Sequence, residues 1–268
     1  MQKLILKTAM AQTTPKLSFN VPDIDALFPA FKTGDFAVVY GPQVVTSLVS
    51  QLCVRAQLPT ELGGLESNVV FIDAANSSSL SSILEAAVLQ QLDPQEALGR
   101  VINMRAYTAY RLSSIIMDKL EEAVEASDAK LVVISDIACA FLNDNVDDQE
   151  AKLAFSQIMS YLANFARKHK IIIIATYLQH ESNRRNSTLQ EISIAKANTV
   201  LRFTKTPYTS EVELEKHPSY MLGVAEFTPE TKTLTDFAPA SSQNYPGVPL
   251  NYTTFDSQIT ESLLLQTV

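Results

Sequence analysis

The chain has 268 residues, 46% of them hydrophobic and 19% charged, and a net charge of −8. That balance excludes a disordered or fibrous chain and fits one large globular domain with a real core. The acidic excess also disfavours a protein whose sole task is to grip a phosphate backbone.

No apolar run reaches the roughly 18–20 residues needed to cross a bilayer. The opening stretch MQKLILKTAMAQTTPKL lacks the continuous apolar segment of about 7–15 residues that a secretory leader needs. The expectation is an intracellular protein with no membrane association, cytoplasmic in an archaeal cell or nuclear in a eukaryotic one. Cys53, Cys139, His169, His180 and His217 show no metal-ligand spacing, so the cysteines read as small buried hydrophobes and no metal is expected.

Taken in chain order, residues 1–14 form a short N-terminal arm, 15–236 the core domain, and 237–268 a Pro/Ser-rich tail. Within the core, Phe36–Tyr40, Val69–Ile72, Val101–Met104, Leu131–Ile134 and Ile171–Ala175 are short apolar, β-branched runs. Such runs mark strands of a parallel sheet buried on both faces. Helical stretches lie between them at Thr46–Gln57, Ser79–Gln91, Thr108–Ala126 and Gln149–His169. Strands alternating with helices predict a doubly wound, mostly parallel α/β sheet with helices on both faces. Thr199–Phe203, Ser210–Glu215 and Gly223–Thr228 then predict an antiparallel extension at its edge.

Three stretches carry a family likeness: Leu17–Gly41 (LSFNVPDIDALFPAFKTGDFAVVYG), Gln57-Leu58-Pro59 with Gly63-Gly64-Leu65, and Leu92–Leu98 followed by Asn103–Tyr107. Their order and spacing resemble the ATPase core of RecA/RadA-type recombinases and their paralogs. The resemblance runs from about residue 16 to 235 and implies a RecA-like P-loop fold.

The same resemblance shows what is missing. A phosphate-binding loop needs G-x-x-x-x-G-K-[ST], with glycines for close approach and a lysine for the β- and γ-phosphates. Here Gly41 is followed by PQVVTSLVSQL, with no second glycine and no lysine. Only Thr46 or Ser47 remains as a hydroxyl for Mg²⁺. The chain has 7 glycines in all, where average usage would give roughly 19. Alanine stands in Asp73-Ala74-Ala75 where the family has its catalytic glutamate. Ser135 takes the place of the Mg²⁺-holding aspartate, with Asp136 in that role only if the strand end slips by one residue. In Thr176-Tyr177-Leu178-Gln179 the γ-phosphate-sensing glutamine is likewise one place off. Losing several such contacts removes many powers of ten in rate. The expectation is a pseudo-ATPase with no catalytic residues and no cofactor, neither ATP nor Mg²⁺.

Of the two loops that face DNA in the family, the one after Leu131–Ile134 carries Asp144, Asp147, Asp148 and Glu150, and suits a solvated helix start. The other, after Thr176, carries Arg184 and Arg185 and is the candidate contact with single-stranded DNA. Family members also assemble through an F-x-x-A strand. Phe237 and Ala240 in the tail match it, and Leu4–Ala9 in the arm is a second candidate strand. Together these features imply an accessory factor of homologous recombination and DNA repair that binds a recombinase or another paralog. Two alternatives remain open: a divergent DNA-dependent ATPase using Thr46 or Ser47, Asp73, Asp136 and Gln179, and a RecA-like regulator unrelated to DNA.

Overall fold

The computed structural model describes residues 15–75, 79–142, 147–206 and 209–228. The chain enters through a small hook in which β1 (Lys16–Leu17) pairs antiparallel with β2 (Phe31–Lys32) around α1 (Pro22–Leu27). Pro22 opens α1 at a position whose N–H needs no intrahelical acceptor. The core then runs β3 (Phe36–Gly41), α2 (Val44–Arg55), β4 (Asn68–Asp73), α3 (Ser79–Leu89), α4 (Pro94–Gly99) and β5 (Val101–Arg105). Next come α5 (Ala109–Ser114), a π turn at Ile115–Lys119, α6 (Leu120–Ser127), β6 (Ala129–Ser135), α7 (Asp148–His169) and β7 (Ile172–Leu178). The described chain closes with α8 (Arg184–Lys196), β8 (Thr199–Lys205), β9 (Ser210–Lys216) and β10 (Gly223–Phe227).

One 8-stranded sheet has the order β10-β9-β8-β3-β7-β6-β4-β5. From β8 to β5 every pairing is parallel, while β9 and β10 are antiparallel. This is the doubly wound architecture expected from the strand–helix alternation. One part of the expectation is corrected. Residues Thr199–Phe203 pair antiparallel with β9 as expected but parallel with β3, because α8 is a crossover helix that returns the chain in the direction of β3. The helix expected over Thr108–Ala126 is likewise interrupted by the π turn. Helix α4 is an element beyond those expected from the apolar periodicity, although its start is well signalled. Asp93 caps it by accepting the N–H groups of Gln95 and Glu96 at 3.0 and 2.8 Å, and Pro94 follows.

Alternation along each strand divides the core between the two faces of the sheet. In β6, Val132 and Ile134 pack toward α5, α7 and the π turn, while Leu131 and Val133 pack toward α2 and α3. Burial on both sides is why these strands lack polar alternation.

The link from α2 to β4 explains the Gln57-Leu-Pro and Gly63-Gly-Leu pattern. Gln57 donates its amide to the carbonyls of Cys53 and Ala97 at 3.2 and 3.0 Å. Buried Arg55 reaches the Ser18 carbonyl at 2.9 Å and the Leu62 carbonyl at 3.1 Å, joining the N-terminal hook to this link. Gly63 has φ +76° and ends the short 3-10 turn Thr60–Leu62. At Gly64 a Cβ would lie 2.1 Å from the Leu58 carbonyl oxygen and 2.6 Å from that of Arg55. Both obstacles are backbone and neither can swing aside. Gly64→Ala is therefore expected to lower unfolding free energy by about 1–3 kcal/mol in urea denaturation. Gly99→Ala, with nothing within 4 Å of its Cβ, should leave stability unchanged or raise it by up to about 1 kcal/mol.

Candidate functional site

In open α/β sheets ligands collect at the carboxyl ends of the strands, which here are the ends of β3, β4, β6 and β7. Only Pro42 and Gln43 separate β3 from α2. Pro42 has no N–H to offer. The N–H groups of Val45 and Thr46 are spent inside the turn, on the Pro42 and Gln43 carbonyls, both at 3.0 Å. Val45 is buried, Thr46 is half-buried and Ser47 is exposed. Beneath them Thr46, Ser135 and Thr176 help line a cavity of about 10 Å³, the room of one water. Gly41 itself answers to the sheet. With φ +150°, it would place a Cβ 2.4 Å from the Phe203 carbonyl oxygen of β8.

At the ends of β4 and β6, Asp73 lies opposite Ser135 in register, and both are buried. Ala74 is buried and donates its N–H to the Ser135 carbonyl at 3.2 Å. Ser135 is the last residue of β6. Asp136 follows it with φ +46° and is 2% exposed. Its N–H donates to the Thr176 hydroxyl at 2.7 Å. Its carboxylate accepts the Leu178 N–H at 3.2 Å and meets His180 Nε2 at 2.9 Å. Asp136 thus fastens the ends of β6 and β7 together, across 44 residues of sequence. That hydrogen bond raises the His180 imidazole above its ordinary range, against the opposing effect of burial. Burial, aided by the charges of Asp136 and Asp73, pushes the Cys139 thiol up.

On the α8 side, the ends of β3, β7 and β8 open into a cleft of about 550 Å³. Tyr40, Gln179, His180, Gln190, Arg202 and Lys205 are among its lining residues. Arg202 is tied by both Glu213 and Glu215. Burial and the hydrogen bond to Glu215 push the Tyr40 phenol far up.

The two arginines do not sit in a loop. They open α8, whose cap is Asn183, accepting the Asn186 N–H at 2.8 Å. The preceding connection is correspondingly short, from Gln179 to Asn183. Arg185 pairs with Asp148 at the start of α7 and donates to the Phe141 carbonyl at 3.5 Å, while Arg184 is exposed. Asp147 caps α7 through the N–H groups of Gln149 and Glu150, so these acids serve a helix start as expected. Asp144 lies outside the described residues, as do Phe237, Ala240 and the Leu4–Ala9 segment.

The sheet order, with the Gly41 strand set between β7 and β8, joins the ordered motifs to one known architecture. Residues 20–196 match the Rad51 family. The chain belongs to that family. Over 136 residues it is 26% identical to the meiotic recombination protein DMC1 of Saccharomyces cerevisiae, which covers 51% of this chain and 40% of that protein. The chain therefore spans less than half the length of that relative. No helix among the described residues of this Rad51-family chain is long and apolar enough to cross a membrane.

The Asp136–His180 pair gives a signed pH dependence. A raised imidazole pKa contributes stability that is fully present below the ordinary value of 6.5 and is lost as pH rises through the folded-state value. Relative to His180→Asn, the native chain should gain its largest advantage in chemical denaturation at pH values below 6.5 and lose it above neutrality. In NMR titration, Asp136→Asn should move the His180 imidazole back down.

Proposed function

We propose that this chain is a non-catalytic Rad51-family paralog. It acts as an accessory factor in homologous recombination and DNA repair, holding a recombinase or another paralog and touching single-stranded DNA. The observation that carries this reading is the two-residue link from β3 to α2. A Mg²⁺-bound nucleoside triphosphate needs a ring of free N–H groups and a lysine at that point. The link offers a proline and no lysine, the N–H groups of Val45 and Thr46 just after it are already bonded to the Pro42 and Gln43 carbonyls, and Val45 is buried. Gly41, the part of the loop that remains, is explained by its approach to Phe203. Asp136, the carboxylate nearest to a metal-holding role, is engaged by the end of β7. These residues do not fit the nucleotide, and no hydrolytic step is drawn through them.

Membership of the Rad51 family and the similarity to a meiotic recombination protein, DMC1, support placing the chain in homologous recombination. The edge strands of the sheet among the described residues, β5 on one side and β10 on the other, suit association with other proteins. Single-stranded DNA would meet the start of α8, where Arg184 is free to approach a phosphate and Arg185 holds the surface in place through Asp148.

Isothermal titration with Mg·ATP at high micromolar protein should register no heat of binding, and the purified chain should co-purify with a Rad51-type recombinase or paralog. Micromolar ATP affinity, or turnover abolished by Asp136→Ala, would instead establish the divergent ATPase. Arg184→Ala is expected to weaken single-stranded DNA binding and lower the salt slope by about one counterion. Arg185→Ala should in addition lower the melting temperature, because it also frees Asp148 and the Phe141 carbonyl. Binding of DNA unchanged in both variants would move the contact elsewhere.

A further inference from the structure

Helix α1 packs against β10 on the core side, while the opposite face of β8, β9 and β10 carries no helix past α8 among the described residues. Alternation puts Val212, Leu214 and Phe227 inward, in the core, and turns Glu211, Glu213, Val224 and Glu226 outward. Arg202 lies on the same outer face and is already held by Glu213 and Glu215. Lys216 turns its amine onto the last carbonyls of α8, Ile194 and Ala195, at 3.0 and 2.9 Å. Glu211 and Glu226 therefore stand directly opposite one another across the β9–β10 pair, an arrangement of like charges that is unfavourable without a cation. Thr204 donates to Glu211 at 3.3 Å; Glu226 is exposed and has no ion-pair or hydrogen-bond partner among the described residues.

Beside this acidic ledge, three large apolar side chains stand in water: Met221 at 89%, Leu222 at 55% and Val224 at 59% exposure. A polar face on an antiparallel sheet is ordinary; a run of exposed apolar residues at its rim is not. Among the described residues nothing pairs with the outer side of β10, so its backbone groups there form a template for another extended strand.

We infer that the β10 edge is a docking surface for an extended basic segment of a partner protein, which adds as a strand to β10. Its lysines or arginines would lie over Glu211 and Glu226, and its apolar residues against Met221, Leu222 and Val224. Charge selects this occupant over two others. Residues 229–268 of this chain carry four acids, Glu230, Asp236, Asp256 and Glu261, against Lys232 alone, and match the ledge in sign. A second copy presenting the same edge would set one Glu226 near another. The inference rests on the scaffold reading above, yet the two fail separately: recombinase can co-purify through another surface, and a segment can dock here without it.

The test uses the intact chain and a fluorescein-labelled peptide of alternating lysine and valine, followed by fluorescence anisotropy at physiological salt. The peptide should bind, and both an alternating glutamate–valine peptide and a lysine–glycine peptide should not. Glu211→Lys/Glu226→Lys should weaken binding about tenfold or more, and Met221→Ser/Leu222→Ser by several-fold. The matched charge change Glu122→Lys/Glu125→Lys, on α6, should leave it unchanged. Equal loss in the α6 variant, or equal binding of the lysine–glycine peptide, would reduce the effect to net charge and overturn the inference. Self-association by sedimentation that is abolished by Met221→Ser/Leu222→Ser would overturn it too, by assigning the edge to a second copy.

Discussion

Strand β3 is clamped between two parallel neighbours, and the surroundings of the candidate site follow from that clamp. Its residues pair with β7 through Phe36–Gly41 and with β8 through Ala37–Tyr40. At the end of the clamp the Phe203 carbonyl comes so close that only glycine fits at 41. The chain must then leave the sheet at once, and it does so through Pro42 and Gln43 into α2. Here the first turn of the helix closes directly on its own carbonyls, and Val45 drops into the core.

The opposite side of the clamp is set by charge. Asp136 sits in a left-handed backbone conformation just past β6 and collects the Leu178 N–H and His180 from the end of β7. A carboxylate buried to this degree is costly unless its oxygens are satisfied. Its carboxylate is met by the Leu178 N–H and His180, from the end of the neighbouring strand. The same logic separates the two arginines that open α8. Arg185 is committed to Asp148, so the pair act as one basic residue facing solvent and one strut.

Strands buried on both faces were legible because nothing polar can interrupt them: FAVVY, VVFI, LVVI and IIIIA each map onto a central strand of the sheet. Helix α8 was not legible, because few of its residues are apolar and only Leu189 among them is fully buried. Its local signal was the cap at Asn183, which reads equally well as a polar loop. Without that helix as a crossover, the parallel pairing of β8 with β3 has no signal in the sequence. The site divides in the same way. Absence of a lysine after Gly41 is visible in any reading of the letters. That Asp136 would be occupied by His180, and Arg185 by Asp148, depends on contacts 44 and 37 residues apart, which no local pattern encodes.

Arg55 ties the N-terminal hook firmly to the core. Its guanidinium is buried, its pKa is lowered by burial, and its donors are spent on Ser18 and Leu62. The hook therefore closes over an arginine that cannot easily shed its charge and cannot be left facing an empty apolar pocket. Peeling β1 away would expose that cation's anchor point and the Phe19–Phe28–Phe31 ring cluster together. The hook and α2 should thus open as one cooperative unit, and a protease acting on the native protein would find this stretch of chain closed to it until α2 has also come loose.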